Sequence, residues 1–206
     1  PATPPAITAS TGMDAITQVI EPFVSPSANA MTDAFCRDGI TRAARSLRRA
    51  YVDGTDIDAR EDMALAALFG GLALANAKLG AVHGFAAPIG GMFDAPHGAV
   101  CAILLAPVMQ ANLKALRARS PRDPAIDRYV EVGRLLTGNP RASADDGVEW
   151  IRALTNDLGI PSLANYGIDA SALTEIAEKA AQASSMKGNP IVLTQDELVG
   201  ILAEST

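Results

Sequence analysis

At three prominent places along this chain, among others, a hydroxyl side chain stands three residues ahead of a carboxylate at the head of an apolar stretch. The instances are Thr11-x-x-Asp14, Ser143-x-x-Asp146 and Thr194-x-x-Glu197. This is the capping-box pattern, in which hydroxyl and carboxylate satisfy backbone N–H groups that the first helical turn leaves without partners. Each instance predicts a helix start. No run of alternating apolar and polar residues lies between turn signals, so nothing predicts a strand. Aromatic residues make up only 4% of a chain that is 49% apolar. The core must therefore be built from Ala, Leu, Ile and Val, a mixture that favours helices over sheets. The expectation is an all-α, multihelical domain, and 206 residues suffice to bury its core without metal or disulfide staples.

Helices are predicted from Thr11, interrupted by Pro22 and Pro26, and over residues 28–51, 57–79, 97–118, 124–136, 143–158, 169–184 and 194–203. Pro107 should kink the fourth of these. The glycine-rich stretch from residue 80 can begin helically but is expected to break near Pro88-Ile89-Gly90-Gly91. The opening PATPPAITAST reads as a linker entering a domain. Residues 63–75 form the longest apolar run, too short to span a bilayer, and read as a buried helix whose Gly70 and Gly71 admit close neighbours.

Several function classes are disfavoured. The net charge is −6, and the basic stretches 42–49 and 114–122 are broken by apolar residues, as solvated helix faces are. The electrostatic footprint of a nucleic-acid binder is missing. No basic segment followed by an apolar one opens the chain as a signal peptide would. Cys36 and Cys101 are far apart and outside any CxxC, which suits two core thiols in a reducing compartment. A cytoplasmic protein with neither membrane nor nucleic acid as partner is the expectation.

The chemistry concentrates in GAVHGFAAPIGGMFDAPHG, residues 80–98, which holds both histidines of the chain, His83 and His97. A buried imidazole needs partners for both nitrogens, and a metal can supply one. On spacing alone a metal pair and two core histidines both stand. Asp14 and Gln18 share a helix face at i and i+4, where a carboxylate and an amide can form half of a metal site. The alternative for Asp14 is the capping box with Thr11, and for Gln18 an exposed helix position. Cys101 lies one turn beyond His97; without companion cysteines it reads as a core thiol.

The stretch VHGFAAPIGGMFDAPHGAVCAILLAPVMQAN resembles the signature of the iron-containing, group III alcohol dehydrogenases, with its His-Gly, Pro-His-Gly and closing Val-Met-x-x-Asn. Upstream, STGMDAITQ resembles that family's ATGxDALTH, and the late GIP and GNP segments fall in family order. The resemblance covers essentially the whole chain. It implies a dehydroquinate synthase-like fold in which an N-terminal α/β domain binds NAD(P) and a C-terminal helical domain holds a divalent metal, Fe2+ or Zn2+. Residues 1–10 would be the interdomain linker and 11–206 the helical metal-binding and catalytic domain, with the nucleotide-binding domain outside this chain. The implied metal positions are Asp14, Gln18, His83 and His97, the two histidines also being the catalytic residues. The implied reaction interconverts a small alcohol and its aldehyde or ketone, in a homodimer.

Two residues depart from the family pattern. Gln18 stands where the family has a histidine, and Ala87 stands where a further histidine often follows the first motif histidine. Two histidines and a carboxylate can still hold a divalent ion with open positions, and the Gln18 oxygen is a candidate weak fourth ligand. The competing readings are a metal-free enzyme half like the maleylacetate reductases, and a non-catalytic helical dimerisation module.

Overall fold

A computed structural model of the chain describes residues 3–206. The described residues form nine α-helices and two short 3-10 turns, with no strand among them. The helices are α1 (Pro5–Val24), α2 (Ala30–Val52), α3 (Ile57–Ala77), α4 (Ala81–Met92), α5 (His97–Arg119), α6 (Pro124–Thr137), α7 (Ala144–Asp157), α8 (Leu173–Ala181) and α9 (Gln195–Ser205). The all-α architecture expected from the sequence is the one observed.

The capping boxes at Ser143 and Thr194 open α7 and α9 with both reciprocal hydrogen bonds in place. The one at Thr11 does not open a helix. α1 starts six residues earlier, with Pro5 in its first turn, where a missing N–H costs nothing. Thr11 is interior to α1 and its hydroxyl donates to the Ile7 carbonyl. Residues 5–10, read from the sequence as the end of a linker, are thus helical. α1 also continues through Pro22 and ends at Val24. A capping box that the sequence reading passed over opens α2, where Asn29 accepts from the Thr32 amide and the Thr32 hydroxyl accepts from the Asn29 amide.

α4 is the second departure. It runs unbroken through Pro88, Gly90 and Gly91. Its Ala81–Ala86 face and Ile89 are buried, and that packing outweighs the backbone cost of one proline and two glycines near a helix end. α3 is the third. The helix is apolar, but only Ala59, Asp62, Ala66, Gly70, Ala73 and Ala77 are buried, while Leu68 and Leu72 are exposed. Of its paired glycines, only Gly70 meets a neighbour: an added Cβ there would come within 2.9 Å of Gln18 Cβ. The helix expected over 169–184 is shorter, ending at Ala181 before a 3-10 turn at Ser184–Gly188.

α1 is the axis of the packing. It lies against α2 and α3 on one side and α5 on the other, and α4 folds back along α5. Met13, Ile16, Val19, Ile20 and Phe23 of α1 are wholly buried, against Leu104, Leu105 and Met109 of α5 among others. Each such side chain contributes about 1.5–3 kcal/mol by leaving water. Among the described residues, α5 is the helix long and apolar enough by itself to cross a membrane, but 83% of its apolar window is buried inside the fold. At the far end of α5, Asn112 donates to Tyr129 and exchanges hydrogen bonds with Asn189, tying α6 and the segment after α8 to it.

Candidate metal centre

Three helices deliver the polar residues to one point. Asp14 is in the middle of α1, His83 in the first turn of α4, and His97 at the first position of α5, with Cys101 one turn further on. Asp14 Oδ1 lies 3.3 Å from His83 Nε2 and 3.6 Å from His97 Nε2. The two imidazole rings are 5.4 Å apart, centre to centre. Cys101 Sγ is 3.6 Å from His97 Nε2. One donor atom from each of Asp14, His83, His97 and Cys101 falls within 4.8 Å of all the others.

The backbone makes this approach possible at Gly98. A Cβ there would sit 2.3 Å from the carbonyl oxygen of Ser10, so the start of α5 rests directly on α1, one turn before Asp14. Any side chain at 98 would push His97 away from Asp14.

His83 is held from behind. Glu21 Oε2 is 2.6 Å from His83 Nδ1, and Glu21 Oε1 accepts the Val82 amide at 2.7 Å. One buried carboxylate therefore orients the imidazole and also satisfies a free N–H at the α4 N-terminus, where the helix dipole favours negative charge. Asn189 Oδ1 accepts the neighbouring Ala81 amide. The room for both comes from Gly80, where a Cβ would come within 2.9 Å of Glu21 Oε1 and 3.2 Å of Asn189 Oδ1. The sequence reading missed Glu21. Its signal was the i, i+4, i+7 spacing of Asp14, Gln18 and Glu21, which puts all three on one face of α1.

Gln18 donates from Nε2 to Asp14 Oδ2 at 3.0 Å, while its Oε1 lies against Gly70 of α3. Its amide nitrogen, not its oxygen, is what it turns to the site. It thereby holds Asp14 so that Oδ1 faces the histidines. Ala87 is exposed on the next turn of α4 after His83 and brings no ionisable group.

The electrostatics are those of a cation site. Burial raises the Asp14 carboxyl, but the imidazoles of His83 and His97 more than reverse this and hold it well below the usual carboxylate range. Burial likewise favours neutral His83, and the carboxylates of Asp14 and Glu21 at its two nitrogens overcome it, raising the imidazole to about 9. Burial pushes the Cys101 thiol far up, with Asp14 and Glu21 adding to the effect.

A metal fits the residues present. Among the described residues, four buried side-chain polar atoms lack a hydrogen-bond partner: Thr8 Oγ1, Arg60 Nη2, Asp14 Oδ1 and His83 Nε2. The last two stand 3.3 Å apart in this site, an ion-pair contact when His83 is protonated but not an aligned hydrogen bond. Buried polar atoms without partners cost free energy, and a shared ion would satisfy both. The burial is graded, from Cys101 at 0% and the His83 side chain at 7% to Asp14 at 23% and His97 at 53%. The cluster is closed at its base and open beside His97.

Residues 8–206 match the family model described as Fe-containing alcohol dehydrogenase family, C-terminal. The chain is 35% identical to a 1,3-propanediol dehydrogenase of Klebsiella pneumoniae, with 98% of this chain and 51% of the relative aligned. It is 36% identical to a lactaldehyde reductase of Escherichia coli, with 95% and 50% aligned. Among solved structures, a 1,3-propanediol oxidoreductase superposes with a TM-score of 0.91 at 34% identity, covering all of this chain and 53% of that one. An alcohol dehydrogenase from Oenococcus oeni superposes with a TM-score of 0.89 at 35% identity, over 99% of this chain and 52% of that one. The chain spans about half the length of the curated relatives it matches.

Proposed function

The chain belongs to the Fe-containing alcohol dehydrogenase family, as its C-terminal half, and from that membership we propose that it is the metal-holding half of an NAD(P)-linked alcohol dehydrogenase. The reaction is hydride transfer between a small alcohol and the nicotinamide, giving an aldehyde or ketone, and its reverse. The dinucleotide is bound by the other half of the two-domain subunit, which works as a cytoplasmic homodimer. The observation that carries this reading is the convergence of Asp14 Oδ1, His83 Nε2 and His97 Nε2, the first two buried and 3.3 Å apart with no aligned hydrogen bond between them.

Asp14, His83 and His97 hold the ion. When bound, a divalent ion supplies Lewis-acid polarisation of the alcohol or carbonyl oxygen and favours the alkoxide. Glu21 accepts a hydrogen bond from His83 Nδ1–H and so leaves the Nε2 lone pair to the site, the carboxylate–histidine support common behind metal-bound imidazoles. Gln18 fixes Asp14 from its other oxygen. His97, half in solvent at the mouth, borders the space that substrate and nicotinamide must share. On the turn of α4 after His83, Ala87 is exposed and offers no group that could relay a proton.

The test is metal titration of the 206-residue chain under reducing conditions, followed by joining it to the nucleotide-binding half of a relative. One ion per chain should bind wild type and be lost in His97→Ala, whose side chain is exposed and whose removal spares the core. The chain alone should show no alcohol-dependent NAD(P) reduction, and the joined protein should show it. Equal metal-free behaviour of both forms, with activity in the joined protein, would favour a metal-free reductase instead.

A further inference from the structure

We infer that Cys101 is a ligand of this centre, its thiolate completing a four-atom shell with Asp14 Oδ1, His83 Nε2 and His97 Nε2. The inference rests on the metal-centre reading above and adds a residue to it. Zinc tetrahedra have bonds of about 2.0–2.1 Å to nitrogen and oxygen and about 2.3 Å to sulfur, so their ligand atoms stand about 3.3–3.6 Å apart. The distances here are 3.3 Å from Asp14 to His83, 3.6 Å from Asp14 to His97 and 3.6 Å from Cys101 to His97. The remaining pairs are within 4.8 Å. The sulfur is wholly buried one turn below His97 on α5, so it lies on the closed side of a cluster that is exposed at His97.

The position of Gln18 strengthens the case. With its nitrogen on Asp14 and its oxygen against Gly70, residue 18 offers no donor atom to the cluster from α1. The donor from α5 takes that share. Thiolate is a soft ligand, and zinc binds such mixed sites more strongly than iron(II) does. Binding breaks the Sγ–H bond as the Sγ–metal bond forms, and the proton passes to solvent, so no oxidant or reductant enters the step. The second thiol of the chain, Cys36, is a contrast. It is equally buried, but on α2, and its ionisable neighbours are Asp33, Arg37 and Arg128, with no imidazole among them.

Cobalt(II) titration of the full chain reads the sulfur directly, through the near-ultraviolet thiolate-to-cobalt charge-transfer band. The band should grow to one cobalt per chain in wild type and in Cys36→Ser. It should be absent in Cys101→Ser and Cys101→Ala, with zinc affinity at least about tenfold weaker. X-ray absorption of the zinc form should show one sulfur at about 2.3 Å. Thermal melts of the metal-free variants check that the fold survives, and the absorption spectrum of wild type decides the matter even if neither variant folds. Stoichiometric cobalt uptake with no sulfur signature would overturn the thiolate and leave the Asp14–His83–His97 centre standing. No uptake by any form would overturn both.

Discussion

Asp14 and Asp62 are two carboxylates in the same small fold, both held well below the usual range, and they show opposite ways of using a charge. Asp62, on α3, is saturated. Arg45 meets both its oxygens at 2.6 Å, Arg42 meets Oδ1 at 2.9 Å, and the Ser46 hydroxyl donates to Oδ2 at 2.6 Å. Its carboxyl is depressed chiefly by Arg45, against the opposing effect of burial. Guanidinium groups do not titrate in proteins, so this cluster has one state and pins α2 to α3. Asp14 is left with one oxygen unpartnered, facing imidazoles that do titrate. A carboxylate with every lone pair used is a fastener. One with an oxygen aimed at two histidines, one of them braced by Glu21, is left open to a further partner. The difference lies in the company and not in the residue type or the depth of burial.

The sharpest way to break this comparison is to remove one member of each cluster. His83→Ala should cost at least about 100-fold in zinc or iron(II) affinity, more than the 10- to 100-fold typical of a supporting residue, while Asp62→Asn should leave metal affinity unchanged. Competitive titration against a chelator reads both. Equal losses in the two variants would erase the distinction. Glu21→Gln comes next: it keeps the shape but removes the charge behind His83, and should weaken metal binding roughly 10- to 100-fold with little change in the apo fold.

Acidity separates the clusters as well. His83 is raised to about 9 without an ion, so at pH 7 an incoming metal must displace a proton. His83 alone should make affinity rise with pH by up to about tenfold per unit until about 9, and release of the Cys101 proton should steepen the rise and carry it beyond that point. Titration calorimetry in buffers of different ionisation heat should find proton release at pH 7. The stability that protonated His83 lends to the metal-free fold runs the other way, complete below about pH 6.5 and lost as pH rises through about 9. The Asp62 cluster adds no pH dependence in that window. A depressed carboxyl stabilises fully above the unfolded value of about 4, and its contribution fades only as pH falls below that.

The smallest effect is on stability. Asp62→Asn should lower it by about 1–2 kcal/mol, discounted because the arginines face solvent. For a chain of this size that is a fall in Tm of roughly 2–8 °C, read by thermal unfolding.

How much of this could be read from the sequence depended on how local the cause was. Ser143 and Thr194 mark helix starts by contacts three residues away, and α7 and α9 begin where the sequence says. Thr11 carries the same local pattern, but α1 enters earlier, with Pro5 suited to its first turn and Thr8 and Ala9 buried ahead of Thr11. Pro88 and the two glycines after it are local breakers overruled by the burial of Phe85 and Ile89. In the site, Asp14, His83 and His97 were legible because the Pro-His-Gly stretch is specific. Glu21 was not, because its partners His83 and Val82 are brought to it by α4, more than sixty residues later. Cys101 was noticed one turn from His97 but read as core. Its burial is real, and only the approach of α1 shows what it is buried against.

The three-helix origin of the centre also orders events in time. Asp14 and His97 are 83 positions apart in the chain, and closing a loop of that length costs entropy that no single ion contact repays early. As the chain leaves the ribosome, α1 emerges long before α4 and α5 exist to meet it. An ion therefore has no complete binding place in the nascent or unfolded chain and acts on the finished fold by mass action. Contacts made that late leave the folding rate nearly untouched and slow unfolding instead. Metal, on this account, lengthens the life of the assembled domain and does little to hasten its assembly.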